Sequence, residues 1–240
     1  MDAPFSRSAT VYDLLYEAAG KDYAAEAAEL HRLVQERRPG AATLLDVACG
    51  TGAHLAHLAR WYATAGADIA PAMLAEARRR CPGIDLVEVD MRALALDRRV
   101  DAVLCLFSAV GYMPSAADLD AAIAAMARHL TPGGVLVVDG WIRPADWRDG
   151  GYLHALAAGD GDLAVTRLTS SHRDGRRTRL DMHHLVGTRE HGIEHLVERH
   201  DLHLFTDDEY RHAFRAAGLT VEVVPGPYAD RDRYVGVAGT

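Results

Sequence analysis

The chain has 240 residues, with 34 acidic against 26 basic side chains and a formal net charge of −8. That balance argues against a general nucleic-acid binder, which needs a basic footprint to neutralise phosphates, and favours a small-molecule substrate. The length suits one large α/β domain, or one with an insertion; residues 1–10 lack an apolar signal segment, and no run approaches the roughly 18 apolar residues of a membrane span.

Residues 10–38 predict two helices parted at Gly20, because Tyr12, Leu15 and Tyr16, then Tyr23, Ala27, Leu30, Leu33 and Val34, recur at helical spacing. From Leu44 short apolar runs alternate with amphipathic stretches: strands at 44–48, 64–68, 85–89, 101–107 and 134–139, helices at 52–62, 71–80 and 115–130. Such alternation implies parallel βαβ units. Pro132-Gly133-Gly134 reads as the turn that stops the long helix before the fifth strand. After Gly140 the pattern changes, and 162–171, 176–187 and 193–205 read as long strands, the first two joined by an Asp174-Gly175 hairpin. Residues 206–240 return to a helix opened by a Thr206/Glu209 capping box, then to strands at 219–224 and 233–238. The expected architecture is α/β: a Rossmann-like seven-stranded sheet built from 1–140 and completed by 206–240, with 141–205 as an antiparallel β lid over the strand ends. Cys49, Cys81 and Cys105 are few and unevenly placed, so they read as reduced buried thiols of a cytoplasmic protein rather than a disulfide framework.

The densest signal is LLDVACGTGAHLAHL at 44–58. Leu44, Leu45 and Val47 read as a buried parallel strand, with Asp46 near its carboxyl end, where open α/β sheets bind ligands. Gly50 and Gly52 have no Cβ, so the chain there can turn sharply against a bound molecule. A dinucleotide fingerprint would place a third glycine three residues after Gly52; Leu55 stands there, which weakens a pyrophosphate cradle. Asp68 closes the second strand 18 residues after Gly50, close to the spacing at which a carboxylate takes both hydroxyls of an adenine ribose. Asp90, beside Met91, ends LVEVD, where a carboxylate can accept from an adenine amino group while the apolar neighbour packs on the ring. Each acid alone is equally a cap for a turn or helix. Three at successive strand ends, facing two glycines, point to a ligand.

Together these segments resemble the class I S-adenosylmethionine-dependent methyltransferases: DxACGTG around Asp46, ADIAPAML around Asp68, VDMR around Asp90 and TPGGVLVVD for the fifth strand, with Ala48 where many relatives have the first glycine. A longer likeness runs nearly end to end, through YDLLYEAAGKDYAAEAAEL, LFSAVGYM, ARHLTPGG, LFTDDEYRHAFRAAGL and PGPYADRDRYVG, to the TDP-amino-sugar N-methyltransferases. It implies S-adenosylmethionine as cofactor and methylation, often twice, of the amine of a TDP-linked deoxysugar used in antibiotic glycosylation. By this resemblance Tyr12 and Tyr23 close over the methionyl end, and Asp46, Ala48, Gly50, Gly52, Asp68, Ile69, Asp90, Met91 and Phe107 hold the cofactor. Trp141, Arg167, Arg179 and Arg231 line the sugar-nucleotide side, arginine suiting a diphosphate through its planar fork. Relatives also suggest a homodimer.

Methyl transfer from a sulfonium is an in-line displacement, so the protein must align an uncharged nucleophile and exclude water. An amine must lose a proton before or during attack. The fourth strand ends where substrate must meet cofactor, placing Phe107, Ser108 and Tyr112 beside the methyl group. The family carries a histidine two residues after the Val110 position, where this chain has Tyr112. A phenol with an ordinary pKa of about 10 is a poor base at neutral pH. Tyr112 is therefore read as orienting the amine, with water or Asp139 taking the proton. Six histidines, His183, His184, His191, His195, His200 and His203, crowd the insert, but strand alternation sends His183 and His184 to opposite faces. No metal is expected; one or two of these rings are expected to touch substrate. Two other readings stay open: methyl transfer to another nitrogen or oxygen nucleophile, and a non-catalytic S-adenosylmethionine-binding protein.

Overall fold

A computed structural model describes residues 5–148, 150–228 and 230–239; residues 1–4 of the leading segment and Ala229 of the tail motif lie outside the described residues. Two helices, α1 (Ala9–Ala18) and α2 (Tyr23–Arg37), precede the core. The break between them falls at Gly20, whose φ of 90° is left-handed. Asp22 caps α2 by accepting from the Ala25 N–H at 2.9 Å.

The main sheet has seven strands: β1 (Thr43–Val47), β2 (Ala63–Asp68), β3 (Asp85–Glu88), β4 (Val100–Cys105), β5 (Leu130–Asp139), β10 (Leu219–Tyr228) and β11 (Arg231–Ala238). Their order is β10-β11-β5-β4-β1-β2-β3, with β1 to β5 parallel and β11 antiparallel to both β5 and β10. The chain steps outward from β1 to β2 and β3, then crosses to β4 on the other side of β1. That reversal leaves a crevice at the carboxyl ends of β1 and β4, the ligand position of open α/β sheets.

Period-two alternation in the central strands fills both faces of the sheet. Leu45, Val47, Val103 and Cys105 pack with Leu119, Ile123 and Phe214 of α5 (Ala116–Ala127) and α6 (Asp207–Ala216). Leu44, Ala102 and Leu104 pack with Ala27 and Leu30 of α2 and with Leu55 and Leu58 of α3 (Ala53–Leu58). Each fully buried leucine here stabilises the fold by about 1.5–3 kcal/mol. The remaining helix, α4 (Pro71–Arg80), follows β2 with Pro71 at its first position. The capping box of α6 forms as read: Thr206 Oγ1 accepts from the Glu209 N–H at 3.2 Å, and Glu209 Oε2 accepts from the Thr206 N–H at 2.8 Å.

The second sheet is antiparallel, β6-β7-β8-β9, from β6 (Leu153–Gly159), β7 (Leu163–Asp174), β8 (Arg177–Thr188) and β9 (Gly192–His203). Val165 of β7 packs on Val11 and Leu15 of α1, while Leu202 joins Trp141, Ile142 and Trp147 at the exit from β5. Among the described residues no helix is long and apolar enough to cross a membrane.

Three local expectations differ from the structure. The strand β6 was not expected, because LHALAAG carries no β-branched residue; pairing with β7 along Leu153 to Gly159 supplies what propensity lacks. Pro132-Gly133-Gly134 is no turn before β5 but an irregularity inside it, where the β4 register jumps from Val100↔Leu130 to Ala102↔Val135 and Gly133 takes φ 70°. The helix after the glycine turn stops at Leu58, four residues short of the expected end.

Candidate active site

A cleft of about 1560 Å³ opens at the carboxyl ends of β1, β2 and β4 and is roofed by the inner face of the β6–β9 sheet. Two left-handed turns floor it. After β1, Ala48 (φ 59°) and Gly50 (φ 56°) turn the chain into α3; after β4, Phe107 (φ 55°) and Ser108 (φ 63°) do the same. Left-handed non-glycine residues cost of order 1 kcal/mol or more each and persist where neighbours over-determine them. Here the Phe107 N–H donates to Asp139 Oδ2 at 3.0 Å, and the Ser108 hydroxyl donates to the Gly140 carbonyl at 2.7 Å. The turn after β4 is thus tied to the end of β5.

One half of the cleft is acidic and apolar. Asp68 lines it, 8 % exposed, and accepts from the Gly50 N–H (Oδ2) and the Ala70 N–H (Oδ1), both at 2.8 Å. Burial raises its pKa against these bonds. Asp90 also lines the cleft, and Arg92, bonded through side chain and backbone, holds its pKa below the ordinary value. Between them lie Met91 and Ile69, the latter 48 % exposed although apolar. A Cβ at Gly50 would meet nothing within 4 Å, so the backbone there faces open space. These features fit an adenosyl cofactor with a cationic sulfur: carboxylates for ribose and adenine, an apolar shelf for the ring, and a bare turn for close approach. Asp46 lies behind this half: its Oδ1 is buried with no partner among the described residues, and burial, then the charges of Asp68 and Asp139, raise its pKa well above normal, which favours the neutral acid.

The other half is aromatic and basic. Tyr12 and Tyr16 sit one turn apart on α1, ring centroids 4.7 Å apart, and Tyr16 meets Phe107 edge-on at 5.0 Å. The Arg167 guanidinium lies 5.0 Å from the Tyr16 ring, with Nη1 donating to its hydroxyl at 3.3 Å and a buried Nε that has no partner. Arg231 stacks on Trp141 at 4.4 Å and on Tyr228 at 4.7 Å. Tyr112, Trp141, Arg167 and Arg231 all line the cleft.

Five expected site residues are placed elsewhere. Tyr23 opens α2, where its hydroxyl donates to Asp13 at 3.2 Å and its ring packs on His54; it does not line the cleft, and Tyr16 holds the wall instead. Gly52 is required by packing, because a Cβ there would stand 3.2 Å from Ala77 Cβ of α4. Asp46 is 2 % exposed and does not reach the cleft surface. Asp139 is not a free proton acceptor: Oδ1 accepts from Arg233 Nε at 2.7 Å and Oδ2 from Phe107. Arg179 is exposed on the outer face of β8, paired with Asp201 at 3.0 Å, and is no cleft residue.

The histidines divide by strand alternation. His183 and His195 are exposed and stacked with centroids 5.1 Å apart, whereas His184 and His200 are buried on the inner face. His200 Nδ1 and the Tyr112 hydroxyl are 2.8 Å apart, and Phe5 packs on the imidazole at 4.4 Å. Two residues back, Glu198 accepts from the Ser8 hydroxyl at 2.7 Å and from the Arg7 N–H at 2.9 Å. Burial opposes ionisation of Glu198, but His200, Ser8 and the Arg7 N–H bring its pKa down to about 2. Tyr16 and Glu198 were not expected at the site, and His200 was singled out only as one of six histidines of which one or two would touch substrate. Tyr16 alone carried a local signal, its helical offset of four from Tyr12.

The methyltransferase-domain family matches residues 44–134, from β1 into β5. A Streptomyces fradiae protein, dTDP-3-amino-3,6-dideoxy-alpha-D-glucopyranose N,N-dimethyltransferase, is 45 % identical over 96 % of this chain and 91 % of its own length. The crystal structure of Streptomyces venezuelae DesVI superposes with TM-score 0.91 at 43 % identity, covering 97 % of this chain and 98 % of that one. CalS10, an amino pentose methyltransferase of Micromonospora echinaspora solved with S-adenosylmethionine bound, gives TM-score 0.85 at 42 % identity over 95 % and 96 % of the two chains. With 45 % identity to one such enzyme along nearly all of its length, the chain belongs to the S-adenosylmethionine-dependent amino-sugar N-methyltransferases of the class I fold.

Proposed function

We propose that the protein N-methylates, up to the N,N-dimethyl product, the amine of a dTDP-linked amino deoxysugar that serves antibiotic glycosylation. The observation that carries this reading is the division of one cleft into a carboxylate-lined half and an aromatic half bearing Arg167 and Arg231, meeting at Phe107. The Streptomyces fradiae and Micromonospora relatives, named for amino-sugar methylation, support it.

When bound, S-adenosylmethionine supplies an electrophilic methyl carbon. Asp68 accepts from the ribose, Asp90 from the adenine amino group, and Ile69 and Met91 pack on the ring. Ala48 and Gly50 turn the backbone away, and Tyr12 closes the methionyl end. On the substrate side Arg231, Trp141 and Arg167 take the nucleotide-sugar, the guanidinium forks suiting phosphate oxygens. Tyr112 accepts a hydrogen bond from the amine and aims its lone pair, while the lid sheet excludes water. A cytoplasmic setting and a homodimer belong to the same proposal. The buried free thiols Cys49, Cys81 and Cys105 support the first, and sedimentation tests the second.

The deciding experiment incubates the protein with S-adenosylmethionine and a panel of dTDP-amino sugars and weighs the products. One or two added methyl groups on the sugar amine are expected. Turnover only with other nitrogen or oxygen nucleophiles, or cofactor binding without turnover on any acceptor, would overturn the reading.

A further inference from the structure

We propose that His200 is the proton acceptor of the methyl transfer, reached through the Tyr112 hydroxyl and held opposite Glu198. The proposal rests on the amine-methylation reading above. It answers a problem this site raises: the hydroxyl offered to the cleft is that of a tyrosine, and a phenol cannot itself take an ammonium proton at neutral pH.

The geometry is a line of three groups from three parts of the chain. The Tyr112 hydroxyl, at the end of the turn after β4, lines the cleft and lies 2.8 Å from His200 Nδ1 on β9. His200 is 2 % exposed, and its Nε2 has no hydrogen-bond partner but stands 3.8 Å from Glu198 Oε2. Glu198 is pinned by the N-terminus of α1 through Ser8 and the Arg7 N–H, so it remains charged across the working pH range. A buried imidazole between a cleft hydroxyl and a fixed carboxylate has the parts of a general base with its orienting group.

Three carboxylates at or near the cleft are already committed. Asp139 is bonded to Arg233 and Phe107, Glu26 to Lys21 and His54, Asp90 to Arg92. His184 is pushed down to about 4 by burial, too weak a base for the task. Burial pushes the Tyr112 phenol well above its ordinary range, with Tyr16, Glu198 and Asp68 acting in the same sense, so tyrosine relays a proton without becoming an anion. The titratable groups facing the pair are Tyr12 and Tyr16 from α1, Asp68 from the end of β2, Arg167 from β7, His184 from β8 and Glu198 from β9.

The step balances as two coupled proton transfers. The substrate N–H bond breaks as an O–H bond forms at Tyr112 Oη. The original Tyr112 O–H bond breaks as an N–H bond forms at His200 Nδ1. The N–H electron pair stays on the substrate nitrogen and becomes the nucleophile. Tyr112 ends neutral as it began, and His200 carries the charge beside Glu198. The starting imidazole must therefore hold its hydrogen on Nε2.

Three variants of the full chain and one spectrum test this. His200→Gln and Tyr112→Phe are expected to lower kcat/KM by about 10²-fold or more, to erase its acid limb, and to leave S-adenosylmethionine affinity by calorimetry unchanged. Tyr112→His in the His200→Gln background, compared with His200→Gln alone, is expected to restore turnover, because an imidazole then stands on the cleft itself. Nitrogen-15 NMR of the unliganded protein is expected to show the Nε2–H tautomer at His200, lost in Tyr112→Phe. A folded His200→Gln that keeps wild-type turnover and pH profile, an unrescued double variant, or an Nδ1–H tautomer in the wild type would overturn the assignment. Wild-type inactivity toward every dTDP-amino sugar would instead overturn the substrate reading on which it rests.

Discussion

Arg233 Nε donates to Asp139 Oδ1 at 2.7 Å, with both side chains buried, and this pair joins β11 to the turn that carries Phe107. Burial disfavours the guanidinium charge, but Asp139, Glu29 of α2 at 3.1 Å and Glu26 together outweigh it and raise the pKa. Removing one member of a buried pair leaves the other charge stranded, at a cost of about 3–5 kcal/mol. Arg233→Met is expected to lose that much in urea unfolding. Asp139→Asn added to it should recover part of the loss, because no charge is then left behind. A loss below about 1 kcal/mol would mean the pair behaves like a surface bridge.

Asp68 does two things that can be separated. It ties the glycine turn to the start of α4 through Gly50 and Ala70, and it is proposed to accept from the cofactor ribose. Asp68→Ala is expected to weaken S-adenosylmethionine binding by roughly 1.5–3 kcal/mol for each charged hydrogen bond lost, read by calorimetry. A lower melting temperature with unchanged affinity would leave it as a loop tie alone.

What was legible in the sequence follows the range of each interaction. The β1 turn, the acids at Asp68 and Asp90, and the alternation of strand and helix are local patterns, and they found both the fold and the cofactor half of the cleft. Tyr23 was placed beside Tyr12 by the resemblance alone, and in this structure it does not line the cleft. Only the turn at Gly20 puts it on a different helix, while Tyr16 keeps the Tyr12 face. Asp139 stood at the right strand end but faces Arg233, a partner 94 residues away. The Tyr112–His200 contact spans 88 residues, and the inner or outer face of the lid strand decides it. A one-residue change in that register would have turned His200 outward. Alternation correctly separated His183 from His184, yet it could not say which side faced the cleft until the lid was docked on α1.

Of the three arginines expected on the diphosphate side, Arg231 and Arg179 are divided by the structure and make a paired test. Arg231 lines the cleft between Trp141 and Tyr228, so Arg231→Ala is expected to raise the KM for the nucleotide sugar with a smaller effect on kcat. Arg179 is paired with Asp201 on the outer face of the lid, and Arg179→Ala should leave both constants and the melting temperature unchanged. Steady-state kinetics of the two variants side by side distinguishes them. Equal KM defects would return Arg179 to the site.

Acid should loosen the lid in two stages. His184 is buried, its Nδ1 without a partner, and burial lowers its pKa from 6.5 to about 4. The unfolded chain therefore takes up a proton between those values that the folded chain refuses, so stability falls as pH drops from 6.5 toward 4. Glu198 has a folded pKa lowered from 4.5 to about 2, so its bonds to Ser8 and Arg7 stabilise fully above 4.5 and are lost as pH falls toward 2. Thermal melts across this range should show a falling midpoint in the wild type. His184→Leu is expected to flatten the upper stage and Glu198→Gln the lower one. A midpoint that holds level from pH 6.5 down to 4 in the wild type would mean that the inner face of the lid admits water to His184.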